Sequence, residues 1–137
     1  FDCEGDFDES MNSQEIDIHL LAERFTVESD KRLIIDGHLS HFLAVDGIIL
    51  LRCRPEQLQI RLADRSYSDS KLTANVEWEL LSGTWAEIIE FEMSQPILEI
   101  DTSELSPEEV TEIIHDWIER GMIKHKQSAA IDWLENN

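Results

Sequence analysis

Positive charge is what this sequence has least of: 11 Lys and Arg stand against 30 Asp and Glu among 137 residues, a formal charge of −19 with neutral His. Such an excess repels phosphate backbones over the whole surface, which excludes a nonspecific nucleic-acid binder and direct DNA binding. It permits basic partners and fits equally well a salty cytoplasm where surface carboxylates maintain solubility. Cysteine is almost missing. Cys3 and Cys53 are the 2 thiols, too few for a disulfide scaffold or a four-cysteine zinc site, so a reducing, cytoplasmic compartment is expected. Long apolar runs are missing too: the run Gly47 to Leu51 falls far short of the roughly 20 residues of a membrane-spanning helix, and no basic segment precedes an apolar one. There is no internal repeat and no low-complexity stretch. A mass of 15.9 kDa suits one domain rather than two.

Residues 1–13 are acidic, lack an apolar period and read as loop. Ile16, Leu20 and Leu21 recur at helical spacing, predicting a helix from Glu15 to Phe25 with Ser13 as its cap. Leu33-Ile34-Ile35-Asp36, stopped by Gly37, reads as a buried parallel strand, and Gly47 to Leu51 repeats the pattern. Pro55 suits the first turn of a helix whose inner face carries Leu58 and Leu62 and which ends near Asp64. After a polar segment from Arg65 to Ser70, a long helix is expected from about Lys71 to Met93, weakened at Gly83. Ile97 to Ile100 is a third short apolar run. Ser106-Pro107-Glu108-Glu109 is a capping box that starts a helix running to Gly121. The tail 122–137 reads as one more weak helix. Strands alternating with helices predict an α/β layer with a mainly parallel sheet, one with few strands for its class.

Asp36-Gly37-His38 follows the first apolar run, at the carboxyl end of a strand, where open α/β folds bind ligands. An acid there can hold magnesium through water and the His can orient a nucleophile or phosphate; a solvated turn explains the same residues. Arg61 and Arg65 are four apart and on a helix can converge on one anion, or stand as two solvated arginines. Arg52, Arg54, Arg61 and Arg65 are the one basic concentration in an acidic chain, which favours the phosphate reading. Lys71 and Asn75 share helical spacing and could close over a nucleotide or line a solvated face. Trp78, Trp85, Phe91, Trp117 and Trp133 are expected to pack. Cys53 is expected to be an inert packed thiol, and His19, His41, His115 and His125 are given no role.

Taken in order, Ile34-Ile35-Asp36-Gly37-His38-Leu39-Ser40-His41, Leu50-Leu51-Arg52-Cys53-Arg54-Pro55-Glu56-Gln57-Leu58 and Arg61-Leu62-Ala63-Asp64-Arg65-Ser66-Tyr67-Ser68 through Lys71 and Asn75 resemble the archaeal and nuclear adenylate kinase isoenzyme 6 family. Ile100-Asp101-Thr102-Ser103 before Ser106-Pro107-Glu108-Glu109 resembles its last strand and helix. The resemblance implies a single P-loop nucleoside-monophosphate kinase-like domain over 1–137, a three-layer α/β fold with a parallel sheet. It implies magnesium-dependent phosphoryl transfer from ATP to AMP. Asp36 and His38 match that family's Walker B type motif, Arg65 its arginine on the ATP phosphates, and Arg61 the arginine before it. Residues 7–17, with Ser13, match the end of its monophosphate-binding segment, and 64–74 its lid. The family also serves in small-ribosomal-subunit maturation with a basic ribosomal protein as partner, which suits an acidic surface.

The sequence departs from that family by having no G-x-x-x-x-G-K-[ST], the loop whose amides and lysine hold the β and γ phosphates. The expectation is therefore a domain lacking the first βα unit and second strand, roughly 30 to 40 residues, and catalytically inactive without them. An alternative from another class is a non-enzymatic acidic module that holds a basic ribosomal protein. Glu104-Leu105 stand where the family has Gly-Lys, and Ser66 where it has Gly.

Overall fold

The computed structural model describes residues 4–8, 13–24, 32–123 and 131–135. They fall into two units, Phe1–Val45 and Asp46–Asn137, each described by itself.

In the first unit, β1 (Glu4–Asp8) pairs antiparallel with β2 (Ser13–Ile16), in the register Phe7↔Gln14 and Asp8↔Ser13. The expected loop over 1–13 is thus corrected at 4–8. Backbone pairing makes this ribbon where the side chains give no alternating signal. Helix α1 (Ile18–Arg24) starts later than its spacing predicts. Ser13 lies in β2 and is not its cap; Asp17 is, its Oδ1 accepting from the N–H groups of His19 and Leu20 at 3.0 Å each.

Leu33 to Asp36 is not a strand. Leu33 is 58% and Ile34 70% exposed, so the run expected to be buried faces solvent. An apolar run becomes a strand only when a ladder partner satisfies its backbone groups, and among the described residues this one has none. The turn that follows is built as expected: Ser40 donates both its N–H (3.2 Å) and its hydroxyl (2.8 Å) to the Gly37 carbonyl. A single 3-10 turn, Ser40–Phe42, then buries His41 against Phe42.

The second unit is organised by β3 (Ile48–Arg52) and β4 (Ile97–Asp101), which run parallel in the register Ile48↔Ile97 to Arg52↔Asp101. Three helices lie between them in sequence, α2 (Pro55–Ala63), α3 (Asp69–Leu80) and α4 (Gly83–Glu90), and α5 (Pro107–Glu119) follows β4. Pro55 occupies the first turn of α2, and Ser68 caps α3 by accepting from the Lys71 N–H at 3.2 Å. The capping box of α5 is complete: Ser106 Oγ accepts from the Glu109 N–H at 3.2 Å and Glu109 Oε2 from the Ser106 N–H at 2.7 Å. Gly121, at φ +83°, lets the chain turn away after it. Leu98, Ile100 and Trp117 form a buried cluster that Ile49, Val110 and Ile114 complete. Trp85 and Ile88 of α4 are buried as well.

The long helix expected from Lys71 to Met93 is two helices. Ser82 adopts a left-handed φ of 53°, which interrupts the ladder after Leu81. Gly83 is not a weak point inside a helix but the first residue of α4. A Cβ on it would stand 2.2 Å from Cδ2 of Trp78. Gly83→Ala is therefore expected to expel the Trp78 ring, break its Nε1–H donation to Thr84 Oγ1 and destabilise the fold by about 1–3 kcal/mol in urea unfolding. The tail is corrected as well: 131–135 carry a turn, with Trp133 buried, and 124–130 lie outside the described residues.

Candidate phosphate site

The basic concentration from 52 to 65 separates into three different uses. Arg52, at the end of β3, is 1% exposed. Its Nε donates to Glu79 Oε1 (2.8 Å), Nη1 to Glu99 Oε2 (2.7 Å) and to the Ile131 carbonyl (3.1 Å), and Nη2 to Ser82 Oγ (3.0 Å). Trp85 Nε1–H donates to the same Glu99 oxygen and Trp133 Nε1–H to the same Glu79 oxygen. Arg52 is thus an internal tie among β3, α3, β4 and the tail, and does not join a phosphate site. Arg54 forms a surface ion pair with Glu104.

Arg61 and Arg65 do not converge. Arg61, on the last turn of α2, reaches the carboxyl end of β4: its Nη2 donates to the carbonyls of Thr102 (2.7 Å) and Ser103 (3.2 Å), and its Nη1 to Thr102 Oγ1 (3.1 Å). Arg65 lies beyond the end of α2 and turns to Tyr67. Helix α2 ends at Ala63 with Asp64 as its C-cap, so Arg65 stands outside the helix whose four-residue spacing would give it a face in common with Arg61.

At the carboxyl end of the strand pair, Thr102 Oγ1–H donates to the Arg52 carbonyl at 2.8 Å, and Ser103 Oγ accepts from the Arg54 N–H at 2.8 Å. Sequence reasoning missed these two hydroxyls, whose signal was only their place after an apolar run. Cys53 is buried between them and α2. Burial pushes its thiol up from the ordinary value, and the Arg61 guanidinium only partly offsets that. With the folded value raised, this contribution to stability is fully present below the thiol's ordinary value and is lost as pH climbs from there through the folded value. In a Cys3→Ser background, Cys53 is expected to react with iodoacetamide at neutral pH about tenfold more slowly than free cysteine; labelling at the free rate would contradict its burial.

Arg65, Tyr67, Lys71 and Asn75 form a local group at the start of α3. Arg65 Nη1–H donates to the Tyr67 hydroxyl at 3.2 Å, its Cζ stands 5.9 Å from the ring centroid, and Lys71 Nζ stands 4.2 Å from the same centroid. Asn75 Nδ2–H donates to the Lys71 carbonyl at 2.7 Å, so its amide fixes the helix backbone under Lys71. The Arg65 hydrogen bond, and the charges of Arg65 and Lys71, hold the Tyr67 phenol below its ordinary range. In the sequence Tyr67 was legible only as the aromatic of the lid segment 64–74 that the resemblance implies.

Asp36 and His38 are exposed on the turn of the first unit, on either side of Gly37. Ser13 is a strand residue there. Among the described residues no group of three or more His, Cys, Asp or Glu is arranged around a metal ion. Magnesium bound with nucleotide takes one or two carboxylates beside its phosphates and waters, and the exposed Asp36 carboxylate fits that smaller requirement.

Parallel strands with helices between them, and two hydroxyls and Arg61 at their carboxyl ends, have the layout of an α/β domain. A family profile described as AAA domain matches residues 2–82. Over 125 residues the chain is 39% identical to a protein of Thermococcus kodakarensis named "Putative adenylate kinase", covering 90% of this chain and 68% of that protein. Proteins of the same name from Thermococcus gammatolerans (35% identity, 91% and 70% covered) and Archaeoglobus fulgidus (40%, 87% and 65%) match similarly. The chain belongs to this family of adenylate-kinase-like P-loop proteins, and spans about two thirds of the length of those relatives.

Proposed function

We propose that the polypeptide carrying this chain is a nucleoside-monophosphate kinase of the isoenzyme 6 type, transferring a phosphoryl group from ATP to AMP to give two ADP. The observation that carries this reading is the Arg65–Tyr67–Lys71 group, two cations on one aromatic ring, in a chain 39% identical to a kinase-named relative. Phosphoryl transfer is mostly positioning and charge neutralisation, and a guanidinium beside an ammonium supplies both. Residues 64–74 act as the lid that brings Arg65 to the transferring phosphate, with Lys71 and Asn75 at its base. Residues 7–17, with Ser13, end the monophosphate-binding segment. Arg61 orders the loop after β4 through the Thr102 and Ser103 carbonyls. Asp36 would hold magnesium and His38 would serve the attacking side. Magnesium, bound with ATP, neutralises negative charge on the phosphate oxygens.

The 137 residues contain no G-x-x-x-x-G-K-[ST], the motif whose row of amides holds the β and γ phosphates. A coupled ADP-formation assay tests both halves of the reading. The chain alone is expected to give no AMP-dependent turnover, and a polypeptide in which a phosphate loop accompanies it is expected to turn over. Failure of that polypeptide would overturn the kinase reading, and turnover by the chain alone would overturn its need for a phosphate loop. The charge of −19 favours one second reading, an acidic module holding a basic ribosomal protein; absence of binding at low salt, where charge attraction is strongest, would remove it.

A further inference from the structure

We infer that Tyr67 is a positioning residue that joins Arg65 and Lys71 into one clamp for a polyphosphate chain, an inference that rests on the kinase reading above. The two side chains carry like charge and would separate in water. Tyr67 gives each a different attachment. Its hydroxyl oxygen accepts from Arg65 Nη1 at 3.2 Å, and its ring face lies 4.2 Å from Lys71 Nζ. A guanidinium at the phenol edge and an ammonium over its face are both held by the negative parts of one aromatic group.

The backbone beneath is fixed as well. The Lys71 N–H is bound by Ser68 Oγ and the Lys71 carbonyl by Asn75 Nδ2, so Lys71 rises from an ordered first turn of α3. Tyr67 and Lys71 are half-buried and Arg65 is exposed, so a ligand from solvent reaches the group from the Arg65 side. Edge and face attachment sets the two charges on different parts of the ring. Two separately held cations suit a chain of phosphoryl groups better than one phosphate ion, which a single guanidinium fork satisfies alone. Arg65 and Lys71 are the charged groups that act on the phenol, and both favour its ionised form. A bound polyanion brings negative charge beside the phenol and offsets the two cations that favour its ionised form, so it must raise the pH at which Tyr67 titrates.

The sequence holds a single tyrosine, which makes the tyrosinate absorbance a reporter of this site. The chain is titrated alone, with inorganic tripolyphosphate, and with inorganic phosphate at equal ionic strength; affinities for tripolyphosphate are measured by calorimetry. Tripolyphosphate is expected to shift the phenol titration upward and inorganic phosphate to leave it in place. Tyr67→Phe, which keeps the ring and loses the hydroxyl, is expected to weaken tripolyphosphate about threefold, and Tyr67→Leu about tenfold. If Arg65→Ala and Lys71→Ala weaken tripolyphosphate while Tyr67→Leu binds as the parent does, the clamp is refuted and the phosphate role of the cations survives. If neither Arg65→Ala nor Lys71→Ala weakens it, the phosphate site itself is refuted, and the clamp with it. An unmoved phenol titration at saturating tripolyphosphate also refutes the clamp.

Discussion

Arg52→Met is expected to destabilise the fold by about 3–5 kcal/mol in urea unfolding followed by tryptophan fluorescence. The magnitude comes from what is left behind. Glu79 and Glu99 converge on a guanidinium whose residue is 1% exposed, and Met fills the space without giving either carboxylate a counter-charge. A domain of this kind is stable by roughly 5–15 kcal/mol in all, so this one substitution removes much of the margin. The triple change Arg52→Met, Glu79→Gln, Glu99→Gln is expected to recover part of the loss, since uncharged amides are cheaper to bury than unpaired carboxylates. Loss below about 1 kcal/mol for the single variant would place the network in solvent-like surroundings and contradict its burial.

Arg65→Ala, made in the intact polypeptide, is expected to lower the turnover of AMP-dependent ADP formation by about 10³, the range for arginines on a transferring phosphoryl group. Arg65→Lys is expected to recover little of it, because an ammonium cannot reproduce the planar fork. Arg65 is exposed, so unfolding midpoints should stay within about 0.5 kcal/mol of the parent. That separates loss of chemistry from loss of fold. A fall of less than tenfold would remove Arg65 from the phosphoryl group and leave Lys71 to be tested there.

Leu33–Asp36 and Ile48–Arg52 show how far sequence reasoning reaches. Both are short apolar runs and both read as buried parallel strands. The second has β4 alongside it residue for residue, while the first has no ladder partner among the described residues. Periodicity reports what a segment prefers, and the partner that satisfies its backbone is a property of the rest of the molecule. The α5 capping box was legible in full because all its atoms lie within four residues. Ser82 was not legible, because a left-handed serine carries no mark in composition; the collision with Trp78 that excludes a Cβ at Gly83 belongs to the folded packing.

The site divides in the same way. Arg65, Lys71 and Asn75 were singled out by spacing and are brought together by local contacts around Tyr67. Arg61 was paired with Arg65 on helical geometry that ends at Asp64. Arg52 counted toward a basic surface although its partners Glu79 and Glu99 lie 27 and 47 residues away. Such distances in sequence cannot be bridged by periodicity.

The parallel register of β3 with β4 also sets the order in which this unit can assemble. Each ladder bond joins positions such as Ile48 and Ile97, with α2, α3 and α4 looped out between them. Closing a chain segment of that length loses entropy before any bond returns it, whereas each intervening helix needs only neighbours. The helices are therefore expected to form early and transiently, with closure of the strand pair as the late event that sets the folding rate. Until it closes, Arg52 has no Glu99 to meet, so the ion network marks the end of folding and cannot guide its beginning.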